Sequence, residues 1–180
     1  MTDRAQWLVA AAVGLVLAGG AVLAAGRWGK ELHTVSAGDP MPDFFAHTMS
    51  EPPVSTHFSD LRGHVVIVNV WATYCVPCRT EMPSLERVWK ELAPKGLEVV
   101  GVSIDDPGFE PAIRDFTKEY GLTFPIWQEG TGQIEQTLES FGVPATFVVG
   151  KDGVIRKKII GATDWDSPAN VALVERLLGE

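Results

Sequence analysis

An apolar run ending four residues before a cysteine pair is the strongest constraint on this chain. His64–Trp71 reads HVVIVNVW, nearly continuous in apolar residues. A strand with one wet face alternates apolar and polar residues. A continuous run is the pattern of a central strand covered on both faces. Cys75-Val76-Pro77-Cys78 follows. From there to Leu92 the residues Cys78, Met82, Leu85, Trp89 and Leu92 recur at spacings of four and three. That spacing makes one face of an α-helix, and Arg79, Glu86, Arg87, Lys90 and Glu91 cover much of the rest as solvated charges. The sequence therefore predicts a buried strand passing straight into an amphipathic helix over Val76–Leu92, with both cysteines at the junction.

The rest of the chain repeats the alternation. Phe44–His47 and Val54–Phe58 are short extended segments around Glu51-Pro52-Pro53, a hairpin by its turn residues. Leu97–Ile104 is a second buried strand, followed by a helix over Phe109–Tyr120. Phe124–Trp127 is a short strand and Gln133–Ser140 a short helix. Ala145–Val149 and Val154–Ile160 flank Gly150-Lys151-Asp152-Gly153, a turn by composition. Ser167-Pro168 opens a last helix with an N-cap and a first-turn proline. Its inward face is expected at Val171, Val174 and Leu178. Alternating strands and helices imply an α/β domain with a parallel sheet, closed here by an antiparallel hairpin.

Charge narrows the partners. The net charge is −8, and the first thirty residues carry +2 (Arg4, Arg27 and Lys30 against Asp3), which leaves −10 on the remainder. An acidic body of this kind is no partner for nucleic acid, where Lys and Arg neutralise phosphates. Trp7–Gly26 is a twenty-residue run without a charge. As a helix it is about 30 Å long, the thickness of a bilayer core. It reads as a retained signal-anchor. A cleaved signal peptide is the alternative, with small residues at Val22-Leu23-Ala24. The short tail favours the N-terminus inside and the body outside the membrane.

Cys75 and Cys78 are the only cysteines, so they form no stabilising framework. A disulfide closing so short a loop stabilises little. Zinc needs more ligands, and His33, His47, His57 and His64 lie upstream in no ligand spacing. No metal site is expected. The redox reading fits better. Unpaired N–H groups and the helix dipole at a helix start favour a thiolate on Cys75, which should be the exposed thiol. Cys78, one turn along the same face, can attack a mixed disulfide on Cys75. Pro77 has no N–H to lose in the first turn.

Asn69-Val70-Trp71-Ala72-Thr73-Tyr74-Cys75-Val76-Pro77-Cys78-Arg79-Thr80-Glu81-Met82-Pro83 resembles the active-site stretch of thioredoxin-fold proteins. It is most similar to the membrane-anchored thiol-disulfide oxidoreductases of the TlpA/ResA/CcmG (DsbE) type. Gly142-Val143-Pro144-Ala145-Thr146-Phe147 resembles their cis-proline loop. The resemblance implies an anchor at 1–28, a linker at 29–43 and a thioredoxin-like domain at 44–180. It implies that Cys75 attacks, Cys78 resolves and Pro144 is cis beside them. Asn69 stands where thioredoxins carry a buried Asp, and the family branch instead places a Glu past the pair, here Glu81. Trp71, Tyr74, Pro77 and Val143 are expected to line the client's site.

The implied activity is reduction of client disulfides outside the cytoplasmic membrane, with no cofactor beyond the Cys75–Cys78 disulfide. Apocytochrome c is the first expected client and a copper-oxidase assembly protein the second. An integral membrane thiol protein is the expected electron donor. Two alternatives differ in class. A peroxiredoxin of this fold needs a Thr three residues before its cysteine and a Pro upstream. Thr73 stands two before Cys75, and the Pro is missing. A copper-binding assembly chaperone spaces its cysteines by three residues and adds a distal His, and no His follows His64.

Overall fold

The computed structural model describes residues 13–17, 19 and 35–180. The chain divides into two units, Met1–Thr34 and Val35–Glu180. In the first, residues 13–17 and 19 are helical and exposed. The anchor expected at 1–28 otherwise lies outside the described residues. Among the described residues, no helix is long and apolar enough to cross a membrane.

The second unit runs β1 (Phe45–Thr48), β2 (Ser55–His57), a 3-10 turn (Phe58–Leu61), β3 (Val65–Trp71), α1 (Val76–Leu92), β4 (Leu97–Ser103), α2 (Glu110–Glu119), β5 (Ile126–Gln128), α3 (Gln133–Thr137), β6 (Ala145–Val149), β7 (Ile155–Ile160) and α4 (Pro168–Gly179). The sheet order is β2-β1-β5-β4-β3-β6-β7. Strands β3, β4 and β5 are parallel. β6 is antiparallel to β3 and to β7, and β1 is antiparallel to β5. This is the thioredoxin-like mixed sheet. The antiparallel addition of the first hairpin beside β5 was not legible from its own residues. Residues 38–41, inside the stretch read as a linker, are tied to β7 and the turn before it: Gly38 N–H donates to Ile155 O and Met41 N–H to Gly153 O, both at 2.8 Å.

All seven residues of β3 are buried. Val65, Ile67 and Trp71 join one core with Met82, Leu85, Val88 and Leu92 of α1 and Val174 and Leu177 of α4. Val66, Val68 and Val70 join the other with Phe44, Phe58, Ile134 and Phe147. A period of two sends alternate residues to opposite faces, so odd-numbered positions meet α1. Asn69 is odd, and its amide is therefore aimed at that helix.

Three expectations change. Leu177, not Leu178, is the fully buried residue at the end of α4. α3 stops three residues early, because Glu139 takes a left-handed conformation at φ 45°. Glu86, expected in solvent, is 6% exposed and bonded across to Thr123.

Candidate active site

The chain leaves β3 at Trp71, crosses Ala72–Tyr74 and enters α1 with Cys75 as N-cap. Cys75 and Cys78 are joined as a disulfide. The Cys78 backbone N–H donates to Cys75 Sγ at 3.1 Å. A first-turn N–H without a helical partner thus spends its hydrogen on sulfur, and in the reduced protein the same donor stabilises a thiolate. Cys75 is 4% exposed and Cys78 is fully buried. The expected order of exposure holds, yet Cys75 presents only an edge in this oxidised form. Pro77 is exposed in the first turn, and Tyr74 and Val76 flank the disulfide at 66% and 69% exposure.

The loop before Cys75 is held from both sides. Asp105, 2% exposed, accepts from Thr73 N–H at 2.9 Å and from Thr73 Oγ1 at 2.6 Å. Ser103 Oγ donates to the same carboxylate at 2.7 Å. Arg79 donates to Thr73 O at 3.0 Å from α1. The end of β4 thereby fixes the approach to the cysteines. Sequence reasoning missed Asp105. Its signal was position: a carboxylate just past the carboxyl end of a central parallel strand, where sites in open α/β sheets gather.

On the other side, Ala145 pairs with Val70. That register sets Pro144 beside Trp71. The Val143–Pro144 bond is cis, as expected, and Pro144 is buried with Val143 half-buried against the core that contains Cys75. Trp71 is a correction. It is fully buried, with its ring 4.5 Å from that of Phe116, so no client touches it in this form. Gly101 makes room for the indole, since a Cβ there would come within 3.1 Å of Trp71 Nε1.

Glu81 is one turn beyond Cys78 and 1% exposed. Asn69 Nδ2 donates to its Oε1 at 2.7 Å and the Thr163 N–H to its Oε2 at 3.1 Å. Asn69 Nδ2 also donates to Thr146 Oγ1 at 2.8 Å. Burial pushes the Glu81 carboxyl above its ordinary range, and the Asn69 and Thr163 donors only partly offset it. The Trp165 indole N–H adds a weaker pull without closing a hydrogen bond. Asn69, Thr146 and Thr163 are uncharged, so no cation accompanies this carboxyl among its hydrogen-bond partners. Among the described residues, no group of three His, Cys, Asp or Glu side chains is placed to hold a metal ion.

Residues 37–158 match the AhpC/TSA family. The chain belongs to that family. Within it, the chain is similar to thiol-disulfide oxidoreductase ResA of Oceanobacillus iheyensis, 36% identical over 131 residues, which covers 72% of this chain and 67% of that protein. Thioredoxin-like protein YneN of Bacillus subtilis is 37% identical over 128 residues, covering 71% and 73%. A solved thiol:disulfide interchange protein DsbE from Chlorobium tepidum superposes with a TM-score of 0.66 at 25% identity, over 81% of this chain and 96% of that one. A protein disulfide isomerase from Bacteroides thetaiotaomicron shares the fold with a TM-score of 0.70 at 23% identity, over 82% and 96%. The chain is a thiol-disulfide oxidoreductase of the ResA/DsbE type.

Proposed function

We propose that this family member reduces disulfides of client proteins at the outer face of the cytoplasmic membrane. The observation that carries the reading is the Cys75–Cys78 disulfide at the start of α1 beside the cis Val143–Pro144 bond. In the reduced protein the Cys75 thiolate attacks a client disulfide. A mixed disulfide forms and one client thiolate leaves. Cys78 then loses its proton and attacks Cys75 Sγ. The internal disulfide closes and the second client thiolate leaves, so two electrons pass to the client. Glu81, one turn from Cys78, takes up and returns the Cys78 proton. Buffer or client protonates the released thiolates. An integral membrane thiol protein then returns the two electrons, and no further cofactor is needed.

The clients proposed are apocytochrome c first and a copper-oxidase assembly protein second. Anchoring through residues 1–28, body on the periplasmic or extracytoplasmic side, rests on the Trp7–Gly26 run alone. Carbonate-washed membranes retain the full chain on this reading, and a soluble mature protein starting near Ala25 counts against it. For the chemistry, Cys78→Ser accumulates a client mixed disulfide visible by mass spectrometry, while Cys75→Ser does not. Trapping through Cys78 instead reverses the two roles. A peroxide-reducing function is opposed by Thr73, whose hydroxyl is committed to Asp105.

A further inference from the structure

One edge of α1 grips a single segment along its length. Glu81, Ser84 and Arg87 stand three residues apart, a spacing that lines them up on a helix. Each meets the stretch 161–167 between β7 and α4. The Thr163 N–H donates to Glu81 Oε2 at 3.1 Å, the Trp165 N–H donates to Ser84 Oγ at 3.0 Å, and Arg87 Nε pairs with the Asp166 carboxylate. Ser84 Oγ in turn donates to Glu81 O at 2.7 Å, so one hydroxyl ties the segment to the backbone of Glu81. The segment is fixed elsewhere too. Gly161, at φ 96°, donates its N–H to Pro144 O at 2.8 Å, and Asn170 Nδ2 of α4 donates to Asp164 O at 2.7 Å.

This strap has an outer and an inner face. Ala162 and Asp164 are exposed, Thr163 is half-buried and Trp165 is 1% exposed. The inner face brings the Thr163 N–H to the carboxylate and the Trp165 ring into the core that holds Cys75, Cys78 and Met82. The other carboxylate oxygen, Oε1, faces inward to Asn69 Nδ2 of β3, which also holds Thr146 of β6. Glu81 therefore has protein on both sides, and the strap is the side whose outer face meets solvent. The charges of this neighbourhood lie around it: Asp164 and Asp166 on the strap, Arg87 on α1, and Lys157 on β7 with its Nζ on Asn170 Oδ1. The groups hydrogen-bonded to the Glu81 carboxylate, Asn69 and Thr163, are neutral. In the reduced protein the Cys75 and Cys78 thiols titrate nearby.

We propose that residues 161–167 are the solvent barrier of Glu81, and that Ser84 is the positioning residue that holds this barrier over the carboxyl. This rests on the reading of Glu81 as the carrier of the Cys78 proton. The proton passes from Cys78 Sγ to a Glu81 carboxylate oxygen and back. A carboxylate open to water is too weak a base for a thiol of ordinary value about 8.5, and exclusion of water narrows that gap. Burial is the largest influence on Glu81 and raises it, in keeping with a closed strap. Ser84 is 4% exposed and bonds backbone groups of both α1 and the strap. Arg87 is 60% exposed, where an ion pair contributes little, so its hold on the outer end is the weaker one.

The test is the pH profile of iodoacetamide alkylation of the reduced full chain, in which the Glu81 step is the one that Glu81→Gln removes. Ser84→Ala should shift that step downward, toward 4.5, as water reaches the carboxyl. Ser84→Thr keeps the hydroxyl and should return the step to the wild-type pH. Arg87→Gln frees only the outer end and should shift the step the same way by less. Thr123→Ala removes the hydroxyl donor to Glu86 and so weakens the same helix away from the strap. It should leave the step in place, which separates water access from lost stability. A step unmoved in folded Ser84→Ala, or in Arg87→Gln should Ser84→Ala not fold, overturns the barrier while the reductase stands. An upward shift overturns it too, since the strap would then act through the Thr163 N–H alone, and so does an equal shift in Thr123→Ala. A profile unchanged by Glu81→Gln removes the proton carrier and the barrier with it. Reduction of dithiobis(nitrobenzoate) is measured alongside. A wild-type protein inert toward it overturns the reductase reading and, with it, the strap's place in the reaction.

Discussion

The amide of Asn69 on β3 donates to the carboxylate of Glu81 on α1 at 2.7 Å, and both residues are at most 1% exposed. A neutral residue where a second carboxyl could stand leaves Glu81 as the one titrating group of this buried contact. Burial is the largest influence on Glu81 and lifts it above its ordinary value of 4.5, against the Asn69 and Thr163 hydrogen bonds.

A raised native value means that the folded protein holds this proton more tightly than the unfolded chain. The contribution to stability is complete below pH 4.5 and is lost as pH rises through the native value. Glu81→Gln cannot ionise. Its stability should therefore improve relative to wild type as pH rises from below 4.5 toward neutrality. Urea midpoints over that range check this. Parallel pH dependences for the two proteins would contradict it. The variant should also lose one titration from the pH profile of thiol alkylation.

Glu86, five residues along the same helix, should behave in the opposite way. Burial pulls its carboxyl upward, but donors from Thr123 N–H at 2.8 Å, Thr123 Oγ1 at 2.6 Å and Lys90 outweigh it and hold the value below 4.5. The stability it contributes is present above 4.5 and is lost as pH falls through the native value. Glu86→Gln should thus be most destabilising near neutral pH and approach wild type in acid. A penalty that grows as pH falls would contradict this.

Thr73→Val keeps the shape of the side chain and removes the donor to Asp105 Oδ1. The buried carboxylate then loses a partner, at a cost of about 1–3 kcal/mol. Because Thr73 is two residues from Cys75, the alkylation rate of the Cys75 thiol should change as well. Thr73→Ser should recover both stability and rate. Denaturant unfolding and iodoacetamide kinetics measure the two effects. Lost stability with an unchanged thiol rate would confine the contact to folding.

The redox potential should lie nearer that of thioredoxin, about −270 mV, than that of a strong oxidant, about −120 mV. Val76-Pro77 supplies no His to the thiolate, and one backbone N–H at 3.1 Å is the donor seen at Cys75 Sγ. The acidic body, −10 outside the first thirty residues, offers no general positive field to a negative sulfur. Equilibration against glutathione and dithiothreitol buffers, followed by Trp fluorescence, measures the value. A result near the oxidising limit would reverse the direction of electron flow.

The sequence alone determined the frame of the site. Periodicity is a property of consecutive residues, so the both-sides-buried β3, the apolar face of α1 and the cysteines at their junction were legible before any contact was known. The Gly142-Val143-Pro144 resemblance likewise located the cis bond. What tertiary structure decided were the partners of polar and ambivalent side chains. Asn69 meets Glu81 and Thr146 because the register of β3 with β6 and the docking of α1 bring positions 12 and 77 residues apart together. Asp105 closes on Thr73 across 32 residues through the pairing of β3 with β4. Trp71 and Glu86 show the same limit. An aromatic ring beside a site can face either the core or a client, and a helix charge either solvent or a buried donor. Those choices depend on Gly101 of β4 and on Thr123 just before β5, which no local pattern around Trp71 or Glu86 encodes.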